Sequence, residues 1–431
     1  MIFTVLASVH RSVSSFGFTV WLWAFVFARI PLAAIQHYLG LESRPFVLVN
    51  LISIALAFIA FNDSGWQPIS FLKSRSALSV TTSFFAFWLI YFFRLGFDTF
   101  IDPIEFIESS FTLVKGFINS TLIPILCLPW VLMMRRSSFS IDLCALLGNI
   151  SVFVGILGYL NIPIDEEIYN PRFSFEDLNP IPAGHSSASL LIIGLLLFVI
   201  RYTEDRSSRS TLLILNASCA VLLGLWGVRL SMTRSAYVAL FPLIVFCLVW
   251  LWRRGLRFRW LFFAGFSTFL VLLVPKIFNM LSSGLPFQDA SSSGRLTRFV
   301  AVWDWICANP LWGVGFHVQN LLKALPEPAS HWYSHNIFLE SYVVGGLFMF
   351  IALIIFFAVV ISSICITLSF QESDSVSHVM ALALSFLWIQ ALTLACFSGH
   401  PALLPGFWVG GFMVVLSTKP AIALSQQSNL R

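Results

Sequence analysis

Long apolar runs recur along this chain, and they constrain it more than any other feature. A helix needs about 20 mostly apolar residues to cross the hydrocarbon core of a bilayer. Runs that meet or approach this length fall at approximately 15–37, 45–61, 77–96, 114–134, 140–160, 186–200, 211–230, 235–252, 260–275, 336–364, 379–398 and 404–418. The runs at 45–61, 186–200 and 404–418 are the shortest, and the turn between 230 and 235 is tight. Of the 431 residues, 58% are hydrophobic and only 10% charged, whereas soluble domains carry about 25% charged residues. No water-soluble core hides that much apolar surface, so lipid is the expected solvent. The expected fold is all-α. One polytopic domain over residues 1–431 has about 12 transmembrane helices and one long loop outside the membrane, 276–335.

The remaining composition narrows the class. The 45 Phe and 15 Trp suit lipid-facing and interfacial positions. A net charge of +5 spread over short inter-helix loops implies no nucleic-acid partner. The first run is long and lacks a small-residue cleavage site, so it is expected to remain as an uncleaved anchor. The seven cysteines are scattered without a CxxC pair, which implies neither a disulfide framework nor a zinc site.

Loop charge sets the expected orientation. One set of alternate loops carries Lys73 and Arg75, then Arg135 and Arg136, then Arg201, Arg206 and Arg209, then Arg253, Arg254, Arg257 and Arg259. The opposite set has Arg44, the acidic stretch Asp98 to Glu108, and Asp165 to Asp177 with only Arg172. Both termini are therefore expected in the cytoplasm, and helix parity places segment 276–335 outside.

Charged groups near membrane helices are costly and commonly functional. Arg29, Arg94, Arg172, Arg229, Arg234, Arg295 and Arg298 all gather at the outer face in this topology. Any one of them is equally well explained by snorkelling or by pairing with a loop carboxylate. As a group they suit a diphosphate, which guanidinium groups bind bidentately. Ser293 reads as an N-cap for a helix running to about Asn309, stopped by Pro310. That reading puts Arg295 and Arg298 in the first turn, where an anion or the nearby acidic loops would relieve the conflict with the helix dipole.

The stretch Gly294 to Gly346 also holds His317, His331 and His335. His331 and His335 would share a helical face as metal ligands do, but no third ligand recurs at suitable spacing. The acidic outer loops contain no compact Asp-x-Asp pair for a divalent metal either. A plain interfacial histidine is one explanation of His335. The other is a general base, because imidazole titrates near neutrality and accepts a proton from a hydroxyl. Asn336 is placed to orient a substrate or that ring, and Glu340, one turn on, to pair with an arginine or tune His335. His185 and His400 read equally well as structural.

These motifs carry a resemblance. SGR (293–295), Trp303, NPLWGVGF (309–316), SHNIFLE (334–340) and Gly345–Gly346 resemble the O-antigen ligase and polymerase superfamily of bacterial inner-membrane proteins. MTRSAYVAL (232–240) resembles an earlier family motif, with Thr233 and Ala236 as departures, and RFSFEDLNP (172–180) resembles an Arg-then-Asn-Pro loop. The motif-bearing region is 172–346. The resemblance implies a GT-C-like fold with the long loop in the periplasm. It implies a glycosyltransferase that moves a glycan from undecaprenyl diphosphate to a lipid A–core sugar (the ligase branch) or to another lipid-linked repeat unit (the polymerase branch). It implies no metal and no other cofactor. His335, Arg234 and Arg172 would be catalytic. Arg295, also matched as an essential family arginine, would bind substrate with Arg298, Arg229, Arg94, Arg29 and Asn336. A transporter or flippase is the alternative from another class, but transporters bind their cargo near the bilayer midplane and these charges gather at one face.

Overall fold

The computed structural model describes residues 17–39, 45–64, 74–101, 110–133, 140–161, 173, 180–203, 211–233, 235–240, 290–326, 332–369, 376–398 and 400–428. Regular structure among them is helical throughout. The main elements are α1 (Gly17–Phe27), α2 (Arg29–Leu39), α3 (Pro45–Ser64), α4 (Arg75–Phe100), α5 (Ser110–Phe117), α6 (Ile123–Met133), α7 (Ile141–Leu160), α8 (Pro180–Thr203), α9 (Thr211–Ser231), α10 (Ala290–Ala308), α11 (Val318–Lys323), α12 (Ile337–Ser369), α13 (Val376–Ser398) and α14 (Pro405–Ser428).

Among the described residues, 7 helices are long and apolar enough to cross a membrane, or 8 if the bent pair α1–α2 is one span. Val47–Phe61 and Pro405–Thr418 are shorter apolar helices. The expected run at 260–275, and all of 235–252 beyond residue 240, lie outside the described residues. So do Arg172, Arg234, His331 and most of both acidic loops.

Three local corrections follow from backbone chemistry. The first run is not one straight helix but bends by 62° between α1 and α2. Pro31 has no N–H to donate to the carbonyl four residues back, so the helix breaks there and Leu32 donates to Ala28 O at 3.2 Å. The run at 114–134 passes through a π-helical turn, Ile118–Leu122, that joins α5 to α6 just before Pro124. Finally, α10 begins at Ala290 rather than after Ser293, so Arg295 and Arg298 sit beyond the first turn. The dipole conflict expected there is correspondingly weaker, because that field falls off within the first turn.

Packing in lipid depends on close approach and satisfied polar groups rather than on a hydrophobic drive between helices. Helix α8 is the enclosed one: 78% of its apolar window is buried, against 28% for α9. The two meet through small residues, with Gly194 against Ala220 and Gly224 against the backbone of Leu191. Polar side chains on α8 are tied inward. Ser186 donates to Val26 O at 2.8 Å, and Ser189 donates to Gln390 Oε1 of α13 at 2.7 Å. Gln390 Nε2 in turn donates to His185 O.

Helix α12 packs on α4, α14 and α10. It is kinked at Gly346, where φ is +64° and ψ −161°. The NPLWGVGF loop fills this break. Val314 donates its amide to Val343 O at 2.7 Å, and Leu347 donates to Pro310 O at 3.1 Å. Irregular backbone at membrane depth is tolerated only when protein satisfies it, and here one loop does so. A Cβ at Gly346 would run into the carbonyl of Leu311.

Candidate functional site around His335

The site is built at the start of α12. Asn336 caps that helix, its Oδ1 accepting the amides of Phe338 and Leu339 at 3.0 and 3.1 Å. Its Nδ2 donates to Cys396 O at 3.1 Å, which fastens the cap to the end of α13. Both ends of the Asn336 amide are thus engaged with protein. On the other side, the Ser334 hydroxyl donates to Asn336 O at 3.1 Å, and the Ser334 amide donates to Glu340 Oε2 at 2.7 Å.

Between these anchors His335 adopts φ +63°. This left-handed region costs a residue with a Cβ about 1–2 kcal/mol, so surrounding contacts must hold it there. His335 is buried, and its ring lies 4.2 Å from that of Tyr333. Tyr333 and Trp332 also approach His400, at 6.0 and 5.0 Å between ring centroids. Burial pushes the Tyr333 phenol up to about 12; Glu340 adds to the rise, while Arg295 and Arg298 oppose it. Both arginines therefore act electrostatically on the tyrosine that packs against His335.

Helix α10 supplies those arginines through its buried face. Arg298, Val302 and Ile306 recur at helical spacing and are buried, while Leu296, Val300 and Trp303 are exposed. Arg295 and Arg298 thus lie within electrostatic reach of Tyr333, the ring neighbour of His335.

The other predicted arginines have different settings. Arg94 Nε lies 3.1 Å from Asp98 Oδ1, one turn along α4. Asp98 Oδ2 accepts the Phe316 amide at 2.6 Å, and His317 is within its electrostatic reach. A Cβ at Gly315, where φ is +70°, would strike both Arg94 and Asp98. Asp98, paired with Arg94, thereby pins the NPLWGVGF loop, and Tyr91 links Phe316 to His400 at 5.2 and 6.3 Å ring separations. Arg29 starts α2 at the bend, and Arg229 is exposed in the last turn of α9.

Arg172 and Arg234 lie outside the described residues, but their neighbours come together. Phe173 is fully buried and donates its amide to Leu230 O at 2.9 Å, beside the turn that leads to Thr233. Ser235 Oγ is 2.9 Å from His185 Nε2. That pair belongs to the same polar chain as Gln390, six residues before Cys396 on α13, a helical rise of about 9 Å.

Tyr333 and His400 escaped the sequence reading as site members. Their ring contacts are tertiary, so no local pattern signals them. Burial drives the His400 imidazole down to about 3, so it is neutral at pH 7. Its Nε2 lies 3.9 Å from Glu340 Oε1, and the two do not form an ion pair in that state. Among the described residues, no group of three or more His, Cys, Asp or Glu side chains is placed to hold a metal ion.

No match to a curated protein was found. Residues 219–354 match the family model described as O-antigen ligase. The matched segment begins within α9 and includes α10, the NPLWGVGF loop, His335 and the Gly346 kink, while the RFSFEDLNP loop precedes it. Over residues 219–354, then, this chain, whose described helices include 7 long and apolar enough to cross a membrane, is similar to the O-antigen ligase superfamily.

Proposed function

We propose that this protein is an O-antigen ligase that transfers a glycan from undecaprenyl diphosphate to a sugar of lipid A–core. The reaction would occur at the periplasmic face of a bacterial inner membrane, with both termini in the cytoplasm. The observation that carries this reading is the turn at His335: a buried histidine held in a left-handed conformation against Tyr333, which lies within electrostatic reach of Arg295 and Arg298, inside the segment that matches the family.

In this reading the acceptor hydroxyl attacks the anomeric carbon of the donor. Its oxygen forms the new glycosidic bond, and its proton passes to His335. The bond from the anomeric carbon to the diphosphate oxygen breaks, and the electron pair leaves with undecaprenyl diphosphate. Arg295 and Arg298, joined by Arg172 and Arg234, stabilise the charge that develops on that leaving group. A single displacement inverts the anomeric carbon. Metal is not needed for any of these steps. Asn336 serves the site by holding the start of α12.

Reconstitution into proteoliposomes with a lipid-linked oligosaccharide donor and defined acceptors tests the reading. Transfer to lipid A–core in the presence of a chelator is expected. Extension of a second lipid-linked repeat unit instead would make the protein a polymerase. Movement of the donor across the bilayer without any new glycosidic bond would make it a carrier.

A further inference from the structure

A carboxylate at the edge of a membrane helix costs free energy unless hydrogen bonds compensate it. Glu340 is only 1% exposed, and its compensation comes from Ser334, through both the amide and the side chain. Oε2 accepts the Ser334 amide at 2.7 Å. The His400 imidazole stands 3.9 Å away, beyond hydrogen-bond range. Glu340 therefore reaches back past the start of its own helix to grip backbone beside His335.

The grip matters because of what lies between the anchors. A left-handed residue with a Cβ persists only when both flanks are fixed. Asn336 fixes the C-terminal flank through the helix cap and Cys396 O. On the N-terminal flank the Ser334 hydroxyl bridges to Asn336 O, and Glu340 holds the Ser334 amide. We propose that Glu340 is the positioning residue for His335: its acceptor oxygen clamps the Ser334 amide and so maintains the left-handed turn that sets the imidazole beside Tyr333. The inference rests on the reading of His335 as the base. The clamp requires an acceptor, not a charge, and a glutamine amide oxygen supplies one.

The test compares Glu340→Ala, Glu340→Gln and His335→Ala in proteoliposomes, using a lipid-linked donor and a lipid A–core acceptor. Thermal unfolding in detergent is measured on each variant. Loss of the clamp displaces the base, and a misplacement of about 1 Å costs roughly 10²-fold in rate. Glu340→Ala is therefore expected to lower kcat by about that factor with the donor KM nearly unchanged. Glu340→Gln is expected to restore kcat to within about tenfold of the parent, since it keeps the hydrogen bond. A Glu340→Gln variant as inactive as His335→Ala overturns the clamp, even if Glu340→Ala fails to fold. A folded Glu340→Ala with parental kcat also overturns it. Full activity in His335→Ala is a separate result, which removes the base reading itself.

Discussion

The bend between α1 and α2 and the kink inside α12 both interrupt an apolar span, yet they are built differently. At the first, Pro31 removes one donor and the helix resumes at once through Leu32 and Ala28. The bend of 62° is complete within its own segment. At the second, paired glycines open the helix and a distant loop supplies the missing partners, with Val314 bonded to Val343 O and Leu347 to Pro310 O. A proline break is local, whereas this glycine break is an interface. The difference explains why NPLWGVGF and SHNIFLE occur together. The loop docks nine residues beyond the start of α12 at Ile337, about 14 Å along the helix from the His335 turn. Its other end is pinned by Asp98.

The interface at α12 breaks most readily at its glycine. Gly346→Val combines a left-handed φ with a collision against Leu311, and should destabilise the protein by about 3 kcal/mol or more. A lowered midpoint in detergent and loss of transfer are expected; an unshifted midpoint would mean the loop does not depend on the kink. Asp98→Ala is the next largest. It leaves the Phe316 amide without its acceptor, at a cost of about 1–3 kcal/mol. The loss should appear as thermal destabilisation with weaker transfer, and Asp98→Asn should recover part of it by restoring an acceptor. Pro31→Ala should do least. Because the break is local, its effect stays within this segment, so stability changes by less than about 1 kcal/mol and transfer persists. A large loss of transfer from Pro31→Ala would show that the first bend, with Arg29 beside it, is as much a part of the site as the second.

The same contrast marks what the sequence discloses. Hydropathy located the described spans because lipid enforces length and apolarity. His335, Asn336, Arg295 and Arg298 stand out as candidates in the sequence because polar groups at a membrane edge are costly. The Asn336 cap and the Glu340 clamp use short spacings. The Pro31 bend was legible in principle as well, since proline breaks helices by itself. Other features depend on chain far away. Nothing near Gly345–Gly346 announces that residues 310–314 fill the break. Arg94 reads as a candidate phosphate ligand until Asp98 and the Phe316 amide are seen beside it. The start of α10 was misplaced because Ser293 has the chemistry of a cap while the helix begins at Ala290.

Single-turnover transfer by His335→Ala, with donor binding measured on the same preparation, tests the role of this histidine most directly. A general base contributes about 10²–10⁴-fold. The variant should therefore bind the lipid-linked donor as the parent does while its transfer rate falls by that factor. Transfer at the parental rate would contradict a catalytic role for His335.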